Sequence, residues 1–544
     1  MSGGGNVGCG NAGGGNNTVA VQEVKPHPVM ETLSGIQYCI NTNPPLFESI
    51  ILGFQHSFLT LGIITVISSL TVPQMGGSNH DKAKVIQSMM FVSGTSTLLQ
   101  TLVGTRLPVA IGASHAFVIP MTTIVLTTRL SCINQPQFLD QTFEKTMAEM
   151  QGALLVSSVV QIILGFSGIW RIFVRYLSPL SMVPLITFTG LGLYSLGFPM
   201  LADCVEIGLP HLILLLIFSQ YMSGFLKTSR LIFDRYAIIF TTAIIWIYAL
   251  ILTASGVHNH RPPATQLSCR TDRAGLMLEA DWVYLPRPFQ WGKPTVNMRE
   301  ATPIVFAGLV ALIESTGTFI AAARYGSATP VPPSVISRGT FWLGIGTLLN
   351  AVFGAVAGPT ASVESAGLLG LTRIGSRRVI QISAGFMLFF SIFGKFTAFF
   401  ASVPFSIMAA TYCILYAYVS SAGLNHLQFC NLNSFRTLFI LGFSSFMAIS
   451  VPQQFRDYLL TSNSGQLPTR SKWFFDTLAT IFVSSPAVAI MVAILLDNTI
   501  SEEEALRNDS GKRWWERFIQ FTKDIRNAEF YSLPCELGNC FPSL

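Results

Sequence analysis

Residues 301–323 read ATPIVFAGLVALIESTGTFIAAA. An α-helix rises about 1.5 Å per residue and a bilayer's hydrocarbon core is about 30 Å thick, so about 20 mostly apolar residues suffice to cross it. This run meets that length, and the one charge well inside it is Glu314. An acid at that depth costs about 2.5–3.5 kcal/mol on insertion scales, so Glu314 must face protein or a wet cavity. One stretch thus names the solvent, lipid, and a place to look for function.

The pattern recurs in both directions. About fourteen apolar segments satisfy the length rule: 46–72, 83–103, 106–127, 151–171, 176–197, 205–226, 236–256, 301–323, 339–357, 359–374, 378–401, 403–423, 434–452 and 474–497. The 544 residues are 50% hydrophobic and only 11% charged, against roughly 25% charged in a soluble domain. The fold class expected is therefore an all-α polytopic membrane protein. A net charge of +6, scattered along the chain, excludes nucleic acid as a partner, since that needs a clustered basic face. The basic residues report topology instead. Arg106, Arg171, Arg175, Arg324, Arg338, Arg377 and Arg436 fall on the side that holds more Lys and Arg if the N-terminus is cytoplasmic, which puts both termini in the cytoplasm. A multi-pass protein of the plasma membrane is expected.

The organisation follows from the polar stretches. Residues 1–44, with GGG runs, Asn and Pro but no basic segment before an apolar core, read as a disordered leader without a cleavable signal. Residues 45–256 form a first half, 257–300 a long extracellular loop, 301–497 a second half and 498–544 a solvated cytoplasmic tail. Asp203, Glu206, Asp476 and Asp497 lie near segment ends, where interfacial water makes them cheap. The nine cysteines form no CxxC motif. Cys132 and Cys269 both fall in loops placed outside, the one pair to weigh for a bridge. No nucleophile–base pair, metal cluster or cofactor motif stands out, which argues against an enzyme.

About seven segments precede the long loop and about seven follow it, and an odd number forces the second half to start from the opposite face: an inverted repeat. The third segment of each half is broken at a corresponding place, by Pro108, Gly112 and small residues in one and by Gly358, Pro359 and small residues in the other. Discontinuous helices leave backbone N–H and C=O groups free at mid-membrane, where they need a substrate, a partner segment or water. Matched breaks of this kind mark transporter binding sites. Glu364 sits in the second break and joins Glu314 as a candidate; two such acids can accept hydrogen bonds from the N–H edges of a heterocycle. For each the alternative is a plain inter-helix hydrogen bond. His56 occupies the first segment of the first half, mirroring Glu314, and His115 follows the first break; both are open between a pocket role and packing.

These residues resemble the nucleobase-ascorbate transporter family, its plant branch above all, over about Tyr38 to Pro534. The family's motif of Gln or Glu, Asn, any residue, Gly, four residues and Thr is matched at every position but its Asn by Glu364-Ser365-Ala366-Gly367-Leu368-Leu369-Gly370-Leu371-Thr372. Gln55-His56, Val72-Pro73-Gln74-Met75-Gly76-Gly77, Arg106-Leu107-Pro108 and Glu314-Ser315-Thr316-Gly317-Thr318 support it. The resemblance implies seven-plus-seven inverted repeats split into core and gate domains, a homodimer and an elevator motion. It implies that Glu314 and Glu364 hold the substrate by side chain, that backbone at His115 and Val363 completes the pocket, and that a proton, or sodium in an ascorbate-carrying branch, is the coupling ion. Two positions depart from the pattern. Ser365 replaces the motif Asn, shortening an amide to a hydroxyl, and Thr318 stands where some relatives carry Asp or His. The expected function is import of a nucleobase such as uracil, xanthine, adenine or guanine. The rivals are sodium-ascorbate symport, an inorganic-anion carrier of the same architecture, and a transport-impaired interaction or sensing protein motivated by Ser365.

Overall fold

The computed structural model describes residues 33–133, 142–222, 230–272, 275–463, 472–500 and 529–533. The helices are α1 Leu46–Thr71, α2 Asn79–Leu102, α3 Val118–Ile133, α4 Thr142–Phe166, α5 Ile169–Arg175, α6 Pro179–Leu191, α7 Phe198–Ala202, α8 Val205–Leu216 and α9 Arg230–Ala254. After the short loop helices α10 Pro263–Cys269 and α11 Leu276–Glu279 come α12 Met298–Tyr325, α13 Pro333–Phe353, α14 Val363–Thr372, α15 Arg377–Ile392, α16 Gly394–Ala401, α17 Phe405–Asn425, α18 Phe435–Asn463, α19 Lys472–Phe482 and α20 Ser485–Thr499. The strands among the described residues are β1 Ile111–Ala113 and β2 Pro359–Ala361, and short 3-10 or π-helical turns lie between some of the helices.

This is a multi-pass membrane protein. Seven of the described helices are long and apolar enough to cross a bilayer, or eight if α15 and α16, bent by 107° at Phe393, count as one span. That is fewer than the segments read from hydropathy, because several of those are built from shorter pieces. The segment expected over 474–497 is interrupted between α19 and α20, and the one over 205–226 passes from α8 into a turn of π-helix at Ile217–Tyr221. The outer faces of α9 and α18 are bare and apolar, with Ile247, Leu250 and Ile251 on one and Phe446 and Ile449 on the other. In water such faces would drive aggregation; in lipid they are the ordinary exterior.

The two interruptions predicted from Pro and Gly are the two strands, and they pair with each other, antiparallel, with Gly112 opposite Thr360. The physical reason is backbone accounting, since buried N–H and C=O groups away from water must find partners. Flanking the register, Ser362 N–H donates to Ala110 C=O and Ser114 N–H to Gly358 C=O, both at 2.9 Å. A three-residue ladder still has edges, and hydroxyls from three surrounding helices close them. Thr97 of α2 accepts from Ile111 N–H at 2.8 Å, Ser315 of α12 from Ala361 N–H at 3.1 Å, and Ser365 of α14 from Ala110 N–H at 3.1 Å.

Around this ribbon α1 and α2 pack on α15, and α4 packs on α12 and α13; α17 packs on α6 and α8, and α18 on α20. The two sets meet where α14 lies against α17 and α12 against α6 and α19.

Four sequence expectations are corrected. Cys269 is bonded to Cys204, with Cα atoms 5.4 Å apart, so the Cys132–Cys269 pairing does not hold. The leader is not disordered up to residue 44: Tyr38 bridges to Ile374 and Ile40 is buried; residues 1–32 lie outside the described ones. The tail is not simply solvated, because Tyr531 is fully buried against the helices, while 501–528 and 534–544 lie outside the described residues. Asp497 is buried rather than bathed in interfacial water, and it pairs with Arg436 at 2.7 Å.

Candidate functional site

Beside the ribbon opens a cavity of about 330 Å³, within the range of small-molecule sites. Its walls are mostly apolar, from Ile119, Phe188, Leu193, Leu459, Val483 and Pro486; its polar groups include Glu314, His115, Thr189, Arg456 and Ser484. Glu314 sits midway along α12, whose apolar run lets it reach this depth only because the carboxylate has partners on both sides. Ser114, which follows β1 and also caps the turn at His115 by accepting from Ala116 N–H, donates to Oε2 at 3.5 Å. Ser484, at the break between α19 and α20, donates to Oε1 at 3.3 Å. One acid is thereby tied to the strand ribbon and to a third interruption, and its remaining lone pairs face the cavity.

His115 lies at the ribbon's exit and lines the same space. Thr318 does not; its hydroxyl donates to the Glu314 carbonyl of its own helix at 2.9 Å and its side chain is buried. Glu364, on the first turn of α14, is off the lining as well. It accepts from Ser362 and from Tyr416 of α17, both at 2.8 Å, and so bridges the two sets of helices. Val363 opens α14 and is buried. His56 Nδ1 is 2.9 Å from Ser365 Oγ, the same hydroxyl that closes β1 at Ala110. His56 and Ser365 therefore form part of the scaffold behind the ribbon rather than the cavity wall.

Sequence reading misses Arg456. The apolar window that precedes it ends at 452, which places it in an external loop, but α18 continues to Asn463 and carries the guanidinium to the cavity. There it rests 4.9 Å from the centre of the Tyr194 ring and donates to Gly192 C=O at 3.4 Å. The break at Ser484 escapes the hydropathy reading too. Its one local signal is Ser484-Ser485-Pro486, a serine at the cap position followed by the Pro favoured at a helix start.

Residues 47–457 match the model of the permease family designated Xan_ur_permease. The chain is 52% identical to the putative nucleobase-ascorbate transporter 10 of Arabidopsis thaliana, over 98% of this chain and 99% of that one. It is 52% identical to nucleobase-ascorbate transporter 6 of the same plant, over 98% and 100%, and 46% identical to nucleobase-ascorbate transporter LPE1 of Zea mays, over 97% and 99%. The chain belongs to the nucleobase-ascorbate transporter family. Among solved structures it is similar to SLC26A9, with TM-score 0.41 and 11% identity over 82% of this chain and 65% of that one. It is similar also to the transmembrane domain of the cyanobacterial bicarbonate transporter BicA, with TM-score 0.36 and 12% identity over 72% and 99%. Within the nucleobase-ascorbate family's motif, this member places its Ser365 hydroxyl on the ribbon, a role that a hydroxyl of that length fills.

Proposed function

We propose that this family member is a secondary active transporter of nucleobases, importing a base together with a proton across the plasma membrane. The observation that carries the reading is Glu314: a carboxylate at mid-membrane depth, anchored on two helix breaks and turned to an apolar cavity of fitting size. A flat heterocycle suits such walls, Phe188 offering an aromatic surface and Glu314 an acceptor for ring N–H groups. Backbone groups of His115 and Val363 supply further contacts. Glu364 joins the grip when it exchanges its bond to Tyr416 for one to the base. The helices α1–α4 and α12–α16 act as the moving core and the remainder as the gate, in a homodimer of seven-plus-seven inverted repeats working as an elevator. Neutralising Glu314 by proton and substrate together lowers the cost of carrying it past the gate.

Arg456 favours one alternative, a substrate with an anionic edge such as ascorbate. Uptake of radiolabelled uracil, xanthine, adenine and ascorbate into cells lacking base transport, as external pH is varied, separates the two. Base uptake that rises with acidity and is lost in Glu314→Ala supports the proposal. Uptake indifferent to Glu314→Ala and to Glu364→Ala sinks the site, and ascorbate uptake that needs sodium and Arg456 selects the alternative.

A further inference from the structure

Outside the cavity lining, three metal-ligating side chains meet where the turn before α8 touches the loop that follows α9. Cys204 and Cys269 are joined there as a disulfide and His258 packs beside them. Both sulfurs and an imidazole nitrogen lie within 4.8 Å of one another, all three residues buried. His258 is 1% exposed, yet neither Nδ1 nor Nε2 has a hydrogen-bond partner among the described residues. A buried polar group left without a partner is costly, and a ligand for the ring would recover that cost. The Glu206 carboxylate comes within 3.7 Å of Cys204 Sγ; it is half exposed and pairs with Arg261 at 2.8 Å.

We propose that Cys204, Cys269 and His258 form a redox-gated zinc(II) site, closed as a disulfide when oxidised and able to hold one zinc ion when reduced. Two thiolates and an imidazole are the donor set of a borderline-soft d10 cation, not of calcium, magnesium or sodium. Zn–S bonds of about 2.3 Å and Zn–N bonds of about 2.0 Å put ligands of one ion roughly 3.5 Å apart, so donors already within 4.8 Å need only side-chain adjustment. Glu206 or a water takes the fourth position. Disulfide sulfurs carry no negative charge and are poor ligands, which is why the site opens only on reduction. The step balances: a dithiol reductant gives two electrons and two protons to the Cys204–Cys269 bond and becomes a disulfide itself, and zinc then displaces the two thiol protons. Whether by the disulfide or by zinc, the start of α8 stays tied to α10; in the reduced, metal-free state it does not.

The test uses the full chain in detergent, stripped of metal and reduced with a phosphine, which unlike a dithiol does not compete for zinc. Equilibrium dialysis with elemental analysis is expected to find about one more zinc per chain after reduction than before. Cobalt(II) in its place is expected to show thiolate-to-metal charge-transfer absorption. His258→Ala lowers the affinity more than about tenfold while the oxidised variant keeps its disulfide and its size-exclusion profile, and His258→Cys restores binding. Equal zinc in the oxidised and reduced protein, or a cobalt spectrum that survives Cys204→Ser, Cys269→Ser and His258→Ala alike, overturns the proposal.

Discussion

Glu314 and Ser365 are both polar residues in apolar helices, and their partners separate their roles. Glu314 Oε1 and Oε2 are held by hydroxyls from two different breaks, so changing the acid to its amide keeps the shape but removes charge-assisted bonds of about 1.5–3 kcal/mol to a bound guest. Glu314→Gln is therefore expected to raise the half-saturating concentration for base uptake roughly 10- to 150-fold. Thr318→Ala, whose hydroxyl serves only its own helix, is expected to leave that constant close to the parent's; a large rise on this change instead would mean Thr318 reaches the guest. Ser365 holds Ala110 N–H and His56 Nδ1 at once. Ser365→Ala strands a buried amide, costing about 1–3 kcal/mol, and a lower melting midpoint in detergent is the readout. At this scale the sequence is informative about cost and silent about company. An acid inside residues 301–323 must be special, whatever the fold. That Ser114 and Ser484 are its partners depends on segments 200 and 170 residues away, a distance no local pattern spans.

Among the elements, the two strands are the most legible, because Pro and Gly forbid a continuous helix and lipid forbids unpaired backbone. The same accounting demands a partner but leaves open a substrate, another segment or water, so their pairing is not legible, and their register depends on hydroxyls of α2, α12 and α14 that hydropathy does not distinguish from other small polar residues. The α19–α20 break is hidden for the opposite reason: the segment 474–497 is apolar almost throughout and satisfies the length rule without interruption. Where α14 crosses α17, side-chain size rather than polarity decides. A Cβ at Gly367 would stand 2.3 Å from the Leu415 carbonyl oxygen, an atom of backbone that cannot turn aside. Gly367→Ala must push the two helices apart, at about 1–3 kcal/mol for overpacking, and since Glu364 and Tyr416 bridge the same pair, that bond lengthens with it. A reduced melting midpoint together with reduced uptake is expected; a variant with parental values in both would show that the crossing is looser than its geometry.

On the scale of the molecule, residues 529–533 tie the far end of the chain onto helices that begin hundreds of residues earlier. Arg338 of α13 donates to Gly104 C=O at 2.7 Å and to Tyr531 C=O at 2.9 Å. Arg377 of α15 does the same for Arg106 C=O at 2.8 Å and Phe530 C=O at 3.1 Å, and Arg106 itself donates to Ser532 C=O. Three cations thus clasp consecutive tail carbonyls while holding the approach to β1, and the Tyr531 hydroxyl donates to Thr329 C=O at 2.6 Å. Nothing in the sequence forecasts this, because five residues are too few for any periodicity and the arginines read as ordinary topology signals. Truncating a buried aromatic costs about 3–5 kcal/mol, and here the loss falls on a segment that can detach without unfolding the helices. Tyr531→Ala is therefore expected to raise amide hydrogen exchange across 529–533 by roughly 100-fold or more, with α12 and α13 still protected. Unchanged exchange would mean that the arginine bonds alone hold the segment, and a loss of protection throughout α13 would mean that the tail is part of the fold's core rather than docked upon it.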